Sequence, residues 1–556
     1  MNRKKVCMAL GLMVGALCFG QQPNTATEQG MYFAKKSYVK KSPLPTYQQI
    51  KPDLPQPIYD ENPLWLDVWW KAWELVFAHF YEPTEANGFV SPYFDSAFGG
   101  NTFLWDDSFV SMFTNYAHPM VSAIAGLDNF YCKQYSNGEI CREITRATGK
   151  DYTEWVNTEN VPLYSAWGYF FLVGEQKHTR AAVEYIGRPT PSPNPHNTLD
   201  AMNHPILAWA EWESYKITGD KERLKIVLEP LVKYYEALQK YIRQGNGLYM
   251  TDWASMDNSQ RNSWLAGGGT GIDISSEMAL FARNLSDIAG VLGKKDLVKQ
   301  YAREADELSA IINKKMWNAR DGFYFDLNLS EEQSSIKTVA GFWPLVGGVA
   351  SAQQAQALAA QLQNPKTFGR KYPVPTLAAD QKAYKSYGDY WNGANWAPTN
   401  TMVIRGLEKY GYDSLASTIA LKHLEQVADV FKQTNTIWEN YMPDSLSYGL
   451  HLNGWSAGKD VVGWSGMGPV MYFLEYGIGL KPDAVQNQLT WTVRSQQPTG
   501  CRNYRFNGHT VSLIAKTEGN NTVIEVDSDG SFTLNIKKGE RILKKKIRKG
   551  NQKIII

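Results

Sequence analysis

From Leu64 to about Leu480 apolar residues return every three or four positions, the spacing that puts them on one face of a helix. Residues 64–77, rich in Leu, Trp, Val and Phe, set the pattern. Similar segments are predicted near 107–127, 162–174, 205–217, 221–243, 274–292, 294–316, 351–363, 397–411, 413–432 and 464–479. That is roughly a dozen helices with hardly a strand pattern between them. Short links at Thr218-Gly219-Asp220 and Leu292-Gly293 favour antiparallel neighbours. Other links, 92–106, 245–274, 376–396 and 434–464, are long and rich in Gly, Asn, Trp and Asp. Antiparallel helix pairs in this number can close into a double ring, and loops at one end of a rigid ring are where function collects. The expected fold class is all-α, a toroid over residues 63–482, with a small β appendage at the C-terminal end.

That appendage, residues 485–556, is expected because the helical period stops after Leu480. Short alternating runs at 489–494, 509–516, 522–527, 532–536 and the Ile-rich end follow, broken by Gly-Asn-Asn and Asp-Gly turns, and read as a small β-sandwich. The Lys-rich run 537–553 alternates with Ile and Leu, so it reads as edge strands carrying solvated lysines. With a formal charge of +2 and no other dense basic run, nucleic acid is excluded as a partner.

Ahead of the helices, Arg3, Lys4 and Lys5 precede an apolar stretch, 6–19, and Gly20, which together describe an export signal over residues 1–20. The stretch is short for a bilayer span and no later segment is longer, so a soluble periplasmic or secreted protein is expected. Leu17 before Cys18 is larger than a lipidation site prefers. Removal of the signal takes the formal charge to −1 and leaves Cys132, Cys141 and Cys501. A Cys132–Cys141 disulfide is compatible with export, and no Cys/His spacing suggests a metal. Residues 21–62 carry many prolines and read as an extended leader over the surface.

Composition adds one clue: 19 Trp, 31 Tyr and 22 Phe, 13% of the chain, exceed what a helical core demands. Aromatic excess suits a pocket for sugar rings, whose C–H faces stack on indole while their hydroxyls bond polar side chains. Four loop clusters combine Trp with carboxylate or amide. They are Phe98-Gly99-Gly100-Asn101-Thr102-Phe103-Leu104-Trp105-Asp106-Asp107, Asp252-Trp253-Ala254-Ser255-Met256-Asp257-Asn258-Ser259-Gln260-Arg261, Asp389-Tyr390-Trp391-Asn392-Gly393-Ala394-Asn395-Trp396-Ala397-Pro398 and Trp438-Glu439-Asn440-Tyr441-Met442-Pro443-Asp444. Cleaving a glycosidic bond takes two carboxyls, one neutral to protonate the leaving oxygen and one ionised on the opposite face. Asp257 and Glu439 are the expected pair, 182 residues apart, so only a closed fold brings them together.

These clusters resemble the motifs of the inverting glycoside hydrolases that include trehalases, processing α-glucosidases and mannosylglycerate hydrolases, which share an (α/α)6 barrel, the six-hairpin glycosidase fold. Ser255-Met256-Asp257-Asn258-Ser259 is similar to the segment holding the catalytic acid, with Ala254-Ser255 where Ser-Gly is usual. Trp438-Glu439-Asn440-Tyr441 is similar to the segment of the catalytic base. The third cluster resembles the family's sugar-binding loop, followed by Asn400 and Arg405-Gly406-Leu407, and Trp105-Asp106 matches a trehalase signature. Asn203-His204-Pro205 and Gly463-Trp464-Ser465 fit lesser segments. Asn101 and Asn440 stand where trehalase carries Arg and Lys, so the resemblance implies an α-linked glucose or related hexose more than trehalose.

The resemblance implies Asp257 as acid, with Trp253 or Trp264 desolvating it, and Glu439 as base. It gives substrate-binding roles to Trp105, Asp106, Trp391, Asn392, Trp396, Tyr441, Trp464 and Arg261. The three later tryptophans serve equally well as core walls, Arg261 as a surface residue, Tyr441 as packing, His204 as a satisfied structural histidine and Asp107 as a helix cap. Hydrolysis of an oligosaccharide or glycoside by two carboxyls needs no metal or organic cofactor. Two other classes remain open on such a toroid: a carbohydrate-binding protein without catalysis, and a polysaccharide lyase or sugar epimerase, which rely on Tyr, His or Arg for proton transfer.

Overall fold

A computed structural model of the chain describes residues 33, 36–40, 43–95, 99–151, 204–251, 255–265, 269–328, 330–452, 454–519 and 521–556. The expected export signal, the helix near 162–174 and Trp253 lie outside them. No helix among the described residues is long and apolar enough to cross a membrane.

Local chemistry places the helix ends. Asp220 caps the helix Lys221–Ile242 by accepting a hydrogen bond from the Arg223 amide at 3.0 Å. Ser351 and Gln354 form a reciprocal capping box on Ala352–Gln363. The helix Leu207–Thr218 stops at Gly219, whose φ of +69° suits a residue without Cβ.

Two kinds of helix emerge. Leu104–Thr114, Ile272–Val291, Ala397–Lys409 and the π-helix Gly468–Ile478 are buried on most or all of their faces. Lys295–Lys315 instead buries one stripe, Tyr301, Ala305, Leu308 and Ile312, and presents its charged residues outward. The buried helices pack in succession. Leu104–Thr114 lies on Leu207–Thr218, which lies on Ile272–Val291; that helix meets the short Trp343–Val346, which meets Ala397–Lys409. Ala397–Lys409 touches the turn Ser465–Met467, and that turn packs back on Leu104–Thr114. Outside this succession, Lys221–Ile242, Lys295–Lys315 and Asp413–Thr434 each cover the buried helix adjacent in sequence, and Pro63–Ala78 lies on Asp413–Thr434 and Gly468–Ile478.

At the C-terminal ends of the buried helices Arg405 joins three of them. It grips Glu475 through two nitrogens at 2.6 and 2.8 Å and reaches Glu213 at 3.2 Å. Such a buried fork is costly to break because it would strand carboxylates away from water.

From Leu480 the chain is β-structure. Leu480–Asp483, Gln488–Thr492, Phe532–Lys538 and Arg541–Ile547 make a four-stranded sheet in which Gln488–Thr492 and Phe532–Lys538 run parallel. Thr499–Phe506, His509–Glu518, Asn521–Ser528 and Gly550–Ile555 make an antiparallel sheet. Its other edge is Gln56–Tyr59, which pairs with Thr499–Arg502, so part of the Pro-rich stretch ahead of the helices is a strand of this sheet. Phe506 and Phe532 meet edge to face at 5.0 Å and connect the two sheets. The Lys-rich tail forms an edge strand of each sheet, with Lys544, Lys545 and Lys546 exposed, the solvated lysines expected of edge strands. Cys132, Cys141 and Cys501 are free thiols, so the pairing considered for Cys132 and Cys141 is not made.

Close helix packing has one sharp requirement. A Cβ on Gly406 would lie 2.5 Å from Leu345 Cβ and 3.0 Å from the Val346 amide, so Ala397–Lys409 and Trp343–Val346 approach closely only because position 406 lacks a side chain. Gly406→Ala is expected to lower stability by about 1–3 kcal/mol, read by chemical denaturation, through overpacking; an unchanged midpoint would show the contact is soft.

Candidate active site

The four sequence clusters converge at the amino-terminal ends of the buried helices. Trp105 and Asp106 begin Leu104–Thr114, His204 lies just before Leu207–Thr218, Trp396 caps Ala397–Lys409 and Trp464 precedes Ser465–Met467. Asp257 lies in the loop that leads to the short helix Arg261–Trp264 and on to Ile272–Val291. Amino-terminal helix ends carry positive partial charge, a favourable field for carboxylates.

Hydrogen bonds tie the loops together. Asn258 donates from Nδ2 to the Asp389 carbonyl at 3.0 Å, accepts from the Trp391 amide at 2.9 Å, and its own carbonyl accepts from Asn392 Nδ2 at 3.0 Å. Asn392 Oδ1 accepts from the Gln260 amide at 3.1 Å. On the far side, Asn395 and Tyr441 exchange both backbone bonds, at 2.8 and 3.1 Å. The loop of Asp257 is thus fastened to the loop of Tyr390, and that loop to the loop of Glu439.

The turn between them is strained. Asp389 and Tyr390 both have positive φ, +42° and +59°, conformations that cost about 1–3 kcal/mol each in residues with a Cβ. Asp389 is held there by donating from its amide to the Leu450 carbonyl at 2.8 Å and by accepting from the Leu452 amide at 2.7 Å. The result aims the Tyr390 hydroxyl at Glu439 Oε1, 3.1 Å away. The Gly458 amide donates to Oε2 at 2.9 Å, so both carboxyl oxygens of Glu439 are held.

The environment treats the carboxyls differently. Burial raises the Asp257 carboxyl to about 6, against opposing contributions from Arg142, the Trp391 indole and His204. Asp257 does not cap a helix; Gln260 occupies the cap position of Arg261–Trp264, and Asn262 Nδ2 clamps the Asp257 carbonyl at 2.6 Å. Half-buried Trp264 belongs to the same short helix. Glu439 is also raised, first by burial and further by the charge of Asp257, while the Gly458 amide and the Tyr390 hydroxyl favour its ionised form. Tyr390 is pushed far up by burial and then by Glu439, Asp257 and Asp106. Three acidic side chains from three clusters therefore act on one hydroxyl.

Around this group the expected residues divide. Trp105 is half-buried with its ring 4.1 Å from that of His204, which leaves part of the indole for a ligand. Asp106 is buried, and its charge reaches the Tyr390 hydroxyl. Trp391 and Trp396 stack in parallel at 4.7 Å; Trp396 is 1% exposed and donates to the Tyr390 carbonyl at 3.3 Å, so it is wall, with Trp391 as the layer in front. Trp464, also buried, donates from its indole to the Glu439 carbonyl at 2.9 Å and fixes the Glu439 segment from behind.

Three assignments need correction. Arg261 is 0% exposed and binds Asp273 through two nitrogens at 2.8 and 3.1 Å and Asp326 at 3.3 Å; a guanidinium so enclosed joins loop to helix and meets no substrate. Asn392 commits its amide to the Asn258 loop and to Asp389, which makes it a staple. Tyr441 is buried, and its hydroxyl accepts from the Trp438 amide at 3.1 Å, so it shapes the turn before Glu439. His204 is the satisfied histidine expected, bonded to Glu277 at 2.7 Å and to the Ser255 carbonyl at 3.0 Å. Burial opposes its charge most, but Glu277, Asp273 and the Ser255 carbonyl together raise it. Asp107 accepts from the Thr102 hydroxyl at 2.6 Å and makes no cap bond.

Two residues were missed. Tyr390 was inside a quoted cluster but is no carboxylate or tryptophan, and only its left-handed turn reveals it. Arg142, which acts on Asp257, stands in no motif. Among the described residues no trio of His, Cys, Asp or Glu converges as a metal cage would.

A carboxyl raised to about 6, close enough to a second carboxylate to affect its charge, within aromatic walls, is the equipment of a glycoside hydrolase. Residues 174–455 match the model of the mannosylglycerate hydrolase MGH1-like glycoside hydrolase domain, and the chain belongs to that family. It is 28% identical to an uncharacterised protein of Borreliella burgdorferi over 343 residues, 60% of this chain and 72% of the relative. Its fold is similar to the GH63 mannosylglycerate hydrolase from Thermus thermophilus in complex with glucose, with a TM-score of 0.50 and 18% identity over 72% of this chain and 98% of that one. An α-L-rhamnosidase from Dictyoglumus thermophilum covers more, 90% of this chain and 50% of its own, at a TM-score of 0.56 and 13% identity.

A carboxyl raised in the folded state carries a signature. Asp257 binds its proton more tightly folded than unfolded, so its contribution to stability is full below about pH 4 and is lost as pH rises through about 6. Asp257→Asn removes that dependence. The variant is expected to gain on the wild type by on the order of 2 kcal/mol between pH 4 and pH 8, measured by denaturant unfolding; a difference that stays constant with pH would show that the carboxyl is not perturbed.

Proposed function

We propose that the protein is an exported inverting glycoside hydrolase on an (α/α)6 toroid, acting on an α-linked glucoside or related hexoside. The observation that carries this reading is the pairing of a carboxyl raised to about 6 with a second one held at both oxygens by a tyrosine hydroxyl and a backbone amide. The succession of buried helices that returns to its start supports the toroid, and the glucose of the Thermus complex supports the hexose. Export rests on the basic and apolar segments at residues 3–19.

In this reading the neutral Asp257 gives its proton to the glycosidic oxygen as the bond to the anomeric carbon breaks. Glu439 takes a proton from water, whose oxygen attacks that carbon from the opposite face. One water is consumed, a hexose and an alcohol leave, and solvent returns the proton from Glu439 to Asp257. Inversion requires space for that water, which sites of this kind provide with carboxyls about 6.5–9.5 Å apart. Tyr390 is a positioning residue, holding Glu439 through Oε1. Trp105 and Trp391 offer faces to the sugar, and Asp106 accepts from its hydroxyls.

Assays on a panel of α-glucosides and α-mannosides, with product anomers followed by NMR, test this. Hydrolysis with inversion is expected, with turnover lost by a factor of 100 or more, on the order of general acid–base catalysis, in Asp257→Asn and Glu439→Gln while sugar binding persists. Retained turnover in either variant, or an unsaturated product, would overturn the assignment. The rate should fall as pH rises above about 6, where Asp257 loses its proton, and fall again at low pH, where Glu439 gains one. Tyr390→Phe removes a bond that favours ionised Glu439, so the acid limb is expected to move to higher pH; an unmoved limb would remove Tyr390 from this role.

A further inference from the structure

Between Glu439 and Trp464 the chain folds back on itself as a small hairpin beside the carboxyls. Leu450 and Ser456 pair across it, the Ala457 amide donates to the Gly449 carbonyl at 2.8 Å, and the His451 amide donates to the Trp455 carbonyl at 2.8 Å. Its two arms are fastened to the site at separate points. One arm holds Asp389 through the Leu450 carbonyl and the Leu452 amide, and the other holds Glu439 Oε2 through the Gly458 amide. The first arm lies so close to the Glu439 segment that a Cβ on Gly449 would stand 1.9 Å from Asn440 Oδ1.

With Leu450 opposite Ser456, His451 stands opposite Trp455, and directly opposed residues of an antiparallel pair project to the same face. The His451 ring lies 4.7 Å from the Tyr390 ring, so the face that carries Trp455 is the one turned toward Tyr390 and Glu439. Trp455 is 73% exposed and is the only exposed tryptophan among the described residues; Leu452, at the same tip, is 75% exposed. Trp455 stands three residues before Gly458, so at most roughly 11 Å of chain separates it from the amide that holds Glu439. A second sugar ring bridges such a distance. Large apolar side chains kept in water at the rim of a functional site mark a surface that a ligand covers, and an indole face suits the C–H face of a sugar.

We propose that Trp455 is the platform for a second sugar ring, which makes the substrate an α-linked oligosaccharide and not a hexose joined to a small alcohol. This rests on the hydrolase reading of Asp257 and Glu439. The ring acted on lies among the carboxyls, Trp105 and Trp391, and the next ring of the chain lies on the Trp455 indole with Leu452 at its edge. Because both arms of the hairpin are bonded to the site, the indole is held at a set distance from Glu439.

Calorimetric titration of the full chain carrying Asp257→Asn, with methyl α-glucoside, methyl α-mannoside and the α-linked disaccharides of glucose and of mannose, tests the proposal without turnover. A disaccharide is expected to bind about tenfold or more tighter than the methyl glycoside of the same hexose, the order of one aromatic platform. Adding Trp455→Ala is expected to erase that advantage, and adding Trp455→Phe to keep most of it. The disaccharide is also expected to shift the indole emission to the blue, a shift that the methyl glycoside does not cause and that Trp455→Phe removes. The proposal is overturned if no disaccharide outbinds its methyl glycoside, or if the advantage survives Trp455→Ala. Turnover of the same sugars by the wild type is read separately: disaccharide binding that depends on Trp455 without hydrolysis would sink the hydrolase reading and leave the platform in place.

Discussion

The hydrogen bonds between Asn258 and the turn at residues 389–392 govern where the carboxyls stand. Asp257 is next to Asn258, and Tyr390 is inside the turn, so fastening one to the other sets the relation of Asp257 to the hydroxyl that grips Glu439. The turn is held in a backbone conformation it would not choose alone, which means the surrounding bonds to Leu450, Leu452 and Asn258 outweigh its strain. Residues distant in sequence are thereby held by short, local interactions between loops, and the buried helices beneath supply a base that does not yield.

Electrostatics then separates two chemically similar groups. Asp257 is surrounded by indole and by cations that only partly offset burial, whereas Glu439 receives two donors directly on its oxygens. Close by, Asp273 is held low by Arg261, with which it forms a buried ion pair. The same residue type is thus held low where a guanidinium binds its carboxyl directly, as Arg261 binds Asp273, and stays raised where burial exceeds the pull of Arg142, as at Asp257.

Much of the fold was legible because burial imposes periodicity: helices covered on one face, such as Lys295–Lys315, begin and end close to where the pattern places them. The strand Thr499–Phe506 was not read despite the Asn507-Gly508 turn after it, because Gly500, Arg502 and Asn503 interrupt the alternation and a register shift between Cys501 and Tyr504 breaks the pairing. The strand Gln56–Tyr59 was hidden by Pro57 within it, Pro55 just before it and a partner more than 400 residues away. In the site, the loops that carry Asp257, Glu439, Trp391, Trp396 and Trp464 were recognisable as clusters by residue type and motif, and the structure joins those loops. Arg261, Asn392 and Tyr441 were misassigned because a motif shows that a residue is needed near the site without showing which way it faces. Tyr390 was passed over because its importance lies in a backbone angle.

The central claim is that Asp257 holds its proton up to about pH 6 while it stands with Glu439 in one site. Carboxyl-carbon NMR titration of the protein labelled at aspartate, with the Asp257 signal assigned by its loss in Asp257→Asn, addresses it most directly. The account predicts a midpoint near 6 for that signal, moving when Glu439 is replaced by Gln. A midpoint near 4 that is indifferent to Glu439 would contradict it.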